Sequence, residues 1–140
     1  MEFNTLVPEF VVSEINQSVN FYVNILGFKI EYDRKENNFY FLSFQGAQIM
    51  LDQDNGNWVT APAEYPRGRG MNFQFSIDNI YPLLEKVKAA KIPLYSDVKE
   101  HWRRGNNVEY GEIEFLIQDP DGYLLRFSSG LGERPVQNRS

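Results

Sequence analysis

Met71-Asn72-Phe73-Gln74-Phe75-Ser76-Ile77-Asp78-Asn79-Ile80-Tyr81-Pro82-Leu83-Leu84 is the stretch that decides the fold. Its first seven residues alternate, with Phe73, Phe75 and Ile77 on an apolar face and Asn72, Gln74 and Ser76 on a polar one. That two-residue period belongs to a half-buried strand. Asp78 or Asn79 then offers a short side-chain oxygen to the free N–H groups of a helix start. Pro82 falls in the first turn, where its missing donor costs little. Ile80, Leu84 and Val87 recur at helical spacing toward Lys91, so a strand feeds directly into an amphipathic helix.

The same order appears upstream. Leu6 to Val12 alternates, with Phe10 and Val12 on one face and Val7, Glu9 and Val11 on the other. Ser13 or Asn16 can cap the helix that follows. Ile15, Val19, Tyr22 and Leu26 each precede Ile80, Leu84, Val87 and Lys91 by 65 residues. Lys91 breaks the apolar match, as a helix end does when it frays. Gly27 sits where a left-handed residue ends a helix. Strands are expected at Phe28–Asp33, Phe39–Phe44 and Ala47–Gln53, separated by the polar turn Arg34 to Asn38 and by Gln45-Gly46. In the second copy they are expected near Pro93–Ser96, Glu109–Ile117 and Tyr123–Ser128. Two copies are too few for a solenoid and suit a pseudo-symmetric pair.

The expected architecture is therefore α+β, a single domain over residues 1–140 built from two β-α-β-β-β modules. Module one spans about 5–53 and module two about 71–129, with a connecting loop at about 54–70 and a tail at 130–140. The loop is rich in Gly, Pro and Asn yet carries Trp58 and Tyr65. A loop of this length is usually functional or disordered. It reads either as a lid or cleft wall, or as a linker whose aromatics patch a sheet edge.

Composition narrows the function. Hydrophobic residues make up 42% and aromatics 15%, enough for a packed interior. There is no cysteine, which removes disulfides, thiolate nucleophiles and Cys-based zinc sites. The net charge of −5 argues against a nucleic-acid partner, and the pairs Arg67/Arg69 and Arg103/Arg104 are too small to reverse that. No apolar run approaches membrane-spanning length and no leader pattern precedes the first strand, so a cytoplasmic location is expected.

Several motifs in this order resemble the vicinal oxygen chelate superfamily, also called the glyoxalase/bleomycin-resistance/dioxygenase superfamily. They are Ser18 with Phe21-Tyr22, Leu26-Gly27-Phe28, Ile77-Asp78-Asn79, and Asp119-Pro120-Asp121-Gly122-Tyr123 before the last strand. The resemblance runs from about Leu6 to Ser128. It implies sheets that curl to form a cleft, and homodimers that complete it.

Enzymes of that family hold a divalent metal through four residues, on the first and last strands of each module. The resemblance puts those positions at Val7, Met50, Asn72 and Arg126. None suits a catalytic cation, which wants imidazole nitrogen or carboxylate oxygen. The only histidine, His101, lies in the polar Lys99–Asn107 segment and reads as a surface or loop residue. No metal or other cofactor is expected.

Without those ligands the chain resembles the bleomycin-resistance branch, which sequesters a drug. Pro8 before Glu9-Phe10-Val11-Val12 resembles its opening, where the proline suits a hinge for strand exchange between chains. Tyr110-Gly111 followed by Glu114-Phe115 resembles its Trp-Gly and Glu-Phe pattern, with Tyr in place of Trp and Ile113 in place of the usual Arg. The implied function is metal-free binding of a planar cationic antibiotic or toxin. Aromatic faces stack on planar rings and carboxylates hold amines. The candidate ligand-binding residues are Glu9, Met50, Asp52, Trp58, Asn72, Gln74, Trp102, Tyr110, Glu112 and Arg126, joined by Phe39 or Tyr40. The competing reading is an enzyme of the same superfamily with an unusual or metal-free acid–base site at Glu9, Asp52 or Glu112.

Overall fold

The computed structural model describes residues 1–137. Two four-stranded mixed sheets with few helices make up the α+β fold. The described residues divide into two compact units, residues 1–69 with 119–123, and residues 70–118 with those from 124 onward.

In the first unit, β1 (Glu9–Val12), β2 (Lys29–Arg34), β3 (Phe39–Phe44) and β4 (Ala47–Gln53) form a sheet ordered β1-β4-β3-β2. β1 runs parallel to β4, and the two remaining pairings are antiparallel. Between β1 and β2, α1 (Ile15–Val19) continues into a π-helical turn over Asn20–Ile25. Phe10, Val12, Leu42, Ile49 and Leu51 turn to the helix side and are buried with Tyr22 and Leu26. The helix is capped by Glu14, whose carboxylate accepts from the Asn16 and Gln17 N–H groups, and not by Ser13 or Asn16. The Ser13 backbone N–H donates to Asp121 Oδ2.

The Asp-Pro-Asp-Gly-Tyr turn is more than a chain reversal. Asp119 Oδ1 accepts from the N–H groups of Asp121 and Tyr123, and its Oδ2 accepts the Tyr22 hydroxyl at 2.7 Å. Tyr123 stacks on Phe10 and donates its hydroxyl to the Val11 carbonyl. Gly122 has φ of +93°, and a Cβ there would stand 2.6 Å from the Pro66 backbone, so the close approach requires glycine. Burial pushes the Asp119 carboxyl up to about 6 against the hydrogen bonds that favour its charged form.

In the second unit, β5 (Asn72–Ser76), β6 (Ser96–Gly105), β7 (Val108–Gln118) and β8 (Leu124–Pro135) are ordered β5-β8-β7-β6. α2 (Ile80–Ala89) is capped by Asn79, which accepts from the Tyr81 N–H. Ile80, Leu83, Leu84 and Val87 are buried, as are Phe75, Phe115, Ile117, Leu125 and Phe127 of the sheet. Lys91, just past the helix, is exposed with a left-handed φ of 58°, so burial asks for no apolar residue there.

Several strand boundaries depart from expectation. β1 begins at Glu9 instead of Leu6. The strand expected at Pro93–Ser96 lies later, at Ser96–Gly105, within the segment read as a polar loop. It is an edge strand with many exposed residues, so burial imposes no apolar alternation on it. β8 continues past Ser128 to Pro135, held by β7 along its whole length.

Candidate functional site

Strand register decides which side chains share the open face of the first sheet, away from the helix. Glu9 stands beside Met50, Met50 beside Phe41, and Phe41 beside Tyr32. The next row holds Val11, Asp52, Phe39 and Arg34. Period-two alternation places Phe39 on this open face and Tyr40 on the helix side, beside Leu51. Glu9, Arg34, Asn37, Asn38, Phe39, Asp52, Asn55 and Trp58 line a cleft of about 510 Å³.

The chemistry of this cleft is that of two carboxylates beside aromatic rings. Neither Glu9 nor Asp52 makes a side-chain hydrogen bond or ion pair among the described residues. Burial raises the Glu9 carboxyl above its ordinary range, the neighbouring Asp52 charge raises it further, and Arg34 offsets part of this. Burial also raises Asp52, again against Arg34. Arg34 lays its guanidinium 3.9 Å from the centre of the Phe39 ring, a cation–π contact. Trp58, 78% exposed, comes from the connecting loop and stands at the cleft wall. Arg67 anchors that loop by donating to the Val11 carbonyl and by its ion pair with Asp54.

The second sheet also has a polar face, but its charges are already matched. Gln74 stands beside Arg126, and Glu112 and Glu114 alternate onto the same face of β7. Glu114 is 3% exposed. It accepts from Arg126 Nε at 2.7 Å and from Arg103 Nη2 at 3.2 Å, with His101 Nε2 at 3.4 Å. Glu112 is bridged by Arg103 and Arg126 at 3.7 and 3.6 Å and accepts from Gln74 Nε2. Burial pushes Glu114 upward, yet the hydrogen bonds from Arg126 and Arg103 outweigh it and hold the carboxyl below its usual value.

The candidates thus fall into two groups. Glu9, Met50, Asp52 and Trp58 belong to the first unit, whereas Asn72, Gln74, Glu112, Arg126 and Tyr110 lie on the polar face of the second sheet. Trp102 does not join them. It pairs with Gly111 on the opposite face, where a Cβ at Gly111 would strike its ring at 2.6 Å and Arg134 covers it at 4.1 Å. His101 is a strand residue paired with Glu112 and not a loop residue. Sequence reasoning missed Arg34, Glu114 and Arg103. Period-two alternation along Ser96–Gly105 would have set Arg103 on the face of Glu112 and Glu114, had that polar stretch been read as a strand.

The family's metal does not fit these residues. Val7 and Met50 offer no imidazole or carboxylate, Asn72 offers only a neutral amide, and Arg126 is a cation that spans Glu114 and Glu112. Among the described residues no group of three or more His, Asp or Glu side chains gathers to hold a metal ion. Among the described residues no helix is long and apolar enough to cross a membrane.

Comparison with known proteins agrees with the fold. No curated protein matches. A superfamily member from Vibrio splendidus 12B01 is 31% identical over 88% of this chain and 95% of its own, with a TM-score of 0.41. A virulence protein from Salmonella typhimurium is 25% identical, covers 92% of this chain and 98% of its own, and has a TM-score of 0.64. TioX from Micromonospora sp. ML1 is 14% identical, covering 92% of this chain and all 100% of its own with a TM-score of 0.70, which bears on the fold alone. The profile of the Glyoxalase/Bleomycin resistance protein/Dioxygenase superfamily matches residues 4–127, and the chain belongs to that superfamily.

Proposed function

We propose that the protein binds a planar, amine-bearing small molecule without a metal, in the manner of a bleomycin-resistance protein. The carrying observation is the Glu9/Asp52 pair, two unpaired carboxylates in a cleft that also presents Phe39 and Trp58. A cationic group entering there adds to the counter-charge of Arg34, which offsets the two carboxylates only in part. The net charge of −5 favours its approach. A homodimer accompanies this reading, because β5 pairs with β8 only as far as Ser128 and leaves the remaining edge open to a second copy.

The test is calorimetric titration with metal-free and copper-loaded bleomycin, alongside elemental analysis of the purified protein. Binding to the native state alone adds about 2.7 kcal/mol at a hundredfold excess over Kd, a visible melting shift. Glu9→Gln and Asp52→Asn are expected to weaken binding, and more so at low salt, where charge pairs are least screened. No heat and no melting shift at millimolar ligand would sink the bleomycin assignment. One tightly held zinc, nickel, manganese or iron per chain would sink the metal-free reading. Sedimentation as a monomer at micromolar concentration would count against the dimer.

The raised carboxyls favour one second reading. A carboxyl that keeps its proton nearer neutrality can act as a general acid, so the same pair would serve an enzyme. Conversion of a bound ligand to product, lost in Glu9→Gln, distinguishes the two.

A further inference from the structure

The open face of the first sheet is not bare along its whole length. Residues ahead of β1 cross it as an extended strap. Asn4 donates its backbone N–H to Gln48 Oε1 at 2.7 Å and its side-chain amide to the Gly46 carbonyl at 2.9 Å. Gln48 Nε2 donates in turn to the Glu2 carbonyl at 2.8 Å. Gln48, two residues before Met50, lies on the face that carries Met50 and Asp52. The strap is therefore pinned to the side from which the cleft is entered.

Between the two pins stands Phe3. Its ring meets Phe41 edge-on at 5.4 Å and Tyr32 edge-on at 6.4 Å. Those two rings are stacked on each other at 5.1 Å and 14°. Phe41 is only 2% exposed, whereas Phe3 is 62% exposed. The aromatic floor is thus covered while its cover remains mostly in water. The three hydrogen bonds that hold Glu2 and Asn4 are at exposed sites, whereas the strap is tied at its far end by the Met50 N–H donating to the Pro8 carbonyl. Such a segment opens at little cost compared with the sheet beneath it.

We infer that Tyr32 and Phe41 form the stacking subsite of the cleft, and that Phe3 is a built-in occupant which the flat part of a ligand replaces. The inference rests on the proposed binding of a planar amine and names how that ligand lies. Phe41 is two strands from Glu9 in the same row and two residues along its strand from Phe39, which pairs with Asp52. Strand spacing of about 4.8 Å and rise of about 3.4 Å put the ring and the amine about 7–10 Å apart. The class is an arylalkylamine with a short spacer, or a larger molecule containing one. The strap lowers apparent affinity by the fraction of time it is closed.

The test uses the full chain and two matched probes, 2-(2-naphthyl)ethylamine and its neutral analogue 2-(2-naphthyl)ethanol. Phe3→Ala is expected to tighten both probes by about 3- to 10-fold, by removing the competing occupant. Asn4→Ala acts in the same direction and less. Glu9→Gln weakens the amine and leaves the alcohol unchanged. By NMR, the proton contacts between Phe3 and Phe41 disappear as the amine saturates the wild-type chain. The strap is overturned if Phe3→Ala leaves both probes unchanged or weaker, if those contacts persist at saturation, or if neither probe binds either chain at millimolar concentration. If both probes tighten in Phe3→Ala but the amine holds no advantage over the alcohol, the strap stands and the cationic reading of the cleft falls.

Discussion

Glu114 in the second unit and the Glu9/Asp52 pair in the first are carboxylates on the open faces of equivalent sheets, yet their surroundings are opposite. Glu114 is clasped by Arg126 and Arg103, and its carboxyl is held below the usual range. Glu9 and Asp52 have no clasp, and theirs are raised. A charge satisfied by the fold stabilises the fold. Carboxylates in a partly buried cleft that only Arg34 offsets cost stability in their charged form. The contrast separates a face whose charges are matched within the fold from one whose carboxylates are not, and the proposed binding reading rests on that difference.

The largest effect that would break this contrast is at Glu114. Glu114→Gln leaves the two guanidinium groups only their longer contacts to Glu112, and a loss of about 2–3 kcal/mol is expected, reduced from the fully buried case because Glu112 remains and Arg103 is half exposed. Denaturant melts at neutral pH measure it, and a loss within experimental error would remove the structural role. The deficit shrinks on acidification. A lowered folded pKa stabilises above the unfolded value of 4.5, and that contribution is lost as pH falls through the folded pKa.

A middle-sized effect sharpens the contrast through the two tryptophans. Trp58→Ala is expected to weaken an aromatic ligand by about 0.5–1.5 kcal/mol. Trp102→Ala, on the far face under Arg134, leaves affinity unchanged while lowering stability. Calorimetry on both variants decides, and equal losses of affinity would contradict the assignment of faces.

The smallest effect has the opposite sign from the first. Glu9→Gln is expected to stabilise the unliganded protein at pH 7 by a few tenths of a kcal/mol, the half-exposed position keeping the gain small. Here the folded pKa is raised, so the wild type is favoured below the unfolded value and loses that advantage as pH rises through the folded one. The difference from the variant therefore closes toward acid. Destabilisation at neutral pH would show that Glu9 has a partner in solution.

The fold was legible because the two halves repeat apolar residues on their helix-facing sides, and burial enforces that pattern. Ile15/Ile80 and Val19/Leu84 carried the register across 65 residues. The edge strand Ser96–Gly105 was not legible, since solvent on its exposed positions leaves Asp97 and Arg104 as acceptable as Val98. Half of the site was readable for the same reason. Glu9 and Asp52 interrupt apolar strands and announce themselves, whereas Arg34 and Arg103 sit among other polar residues, and only pairing register shows what they face.

The turn at 119–123 belongs to the first unit although β7 and β8 of the second flank it on either side. The chain therefore crosses from one unit to the other at three points, and a doubled sequence does not give two severable pieces. A fragment ending at Arg69 would strand the Tyr22 hydroxyl, the Ser13 N–H and the Arg67 guanidinium without the acceptors that Asp119 and Asp121 provide. The repeat is a symmetry of pattern, while the indivisible part for cutting, splitting or grafting is the whole chain from β1 to β8.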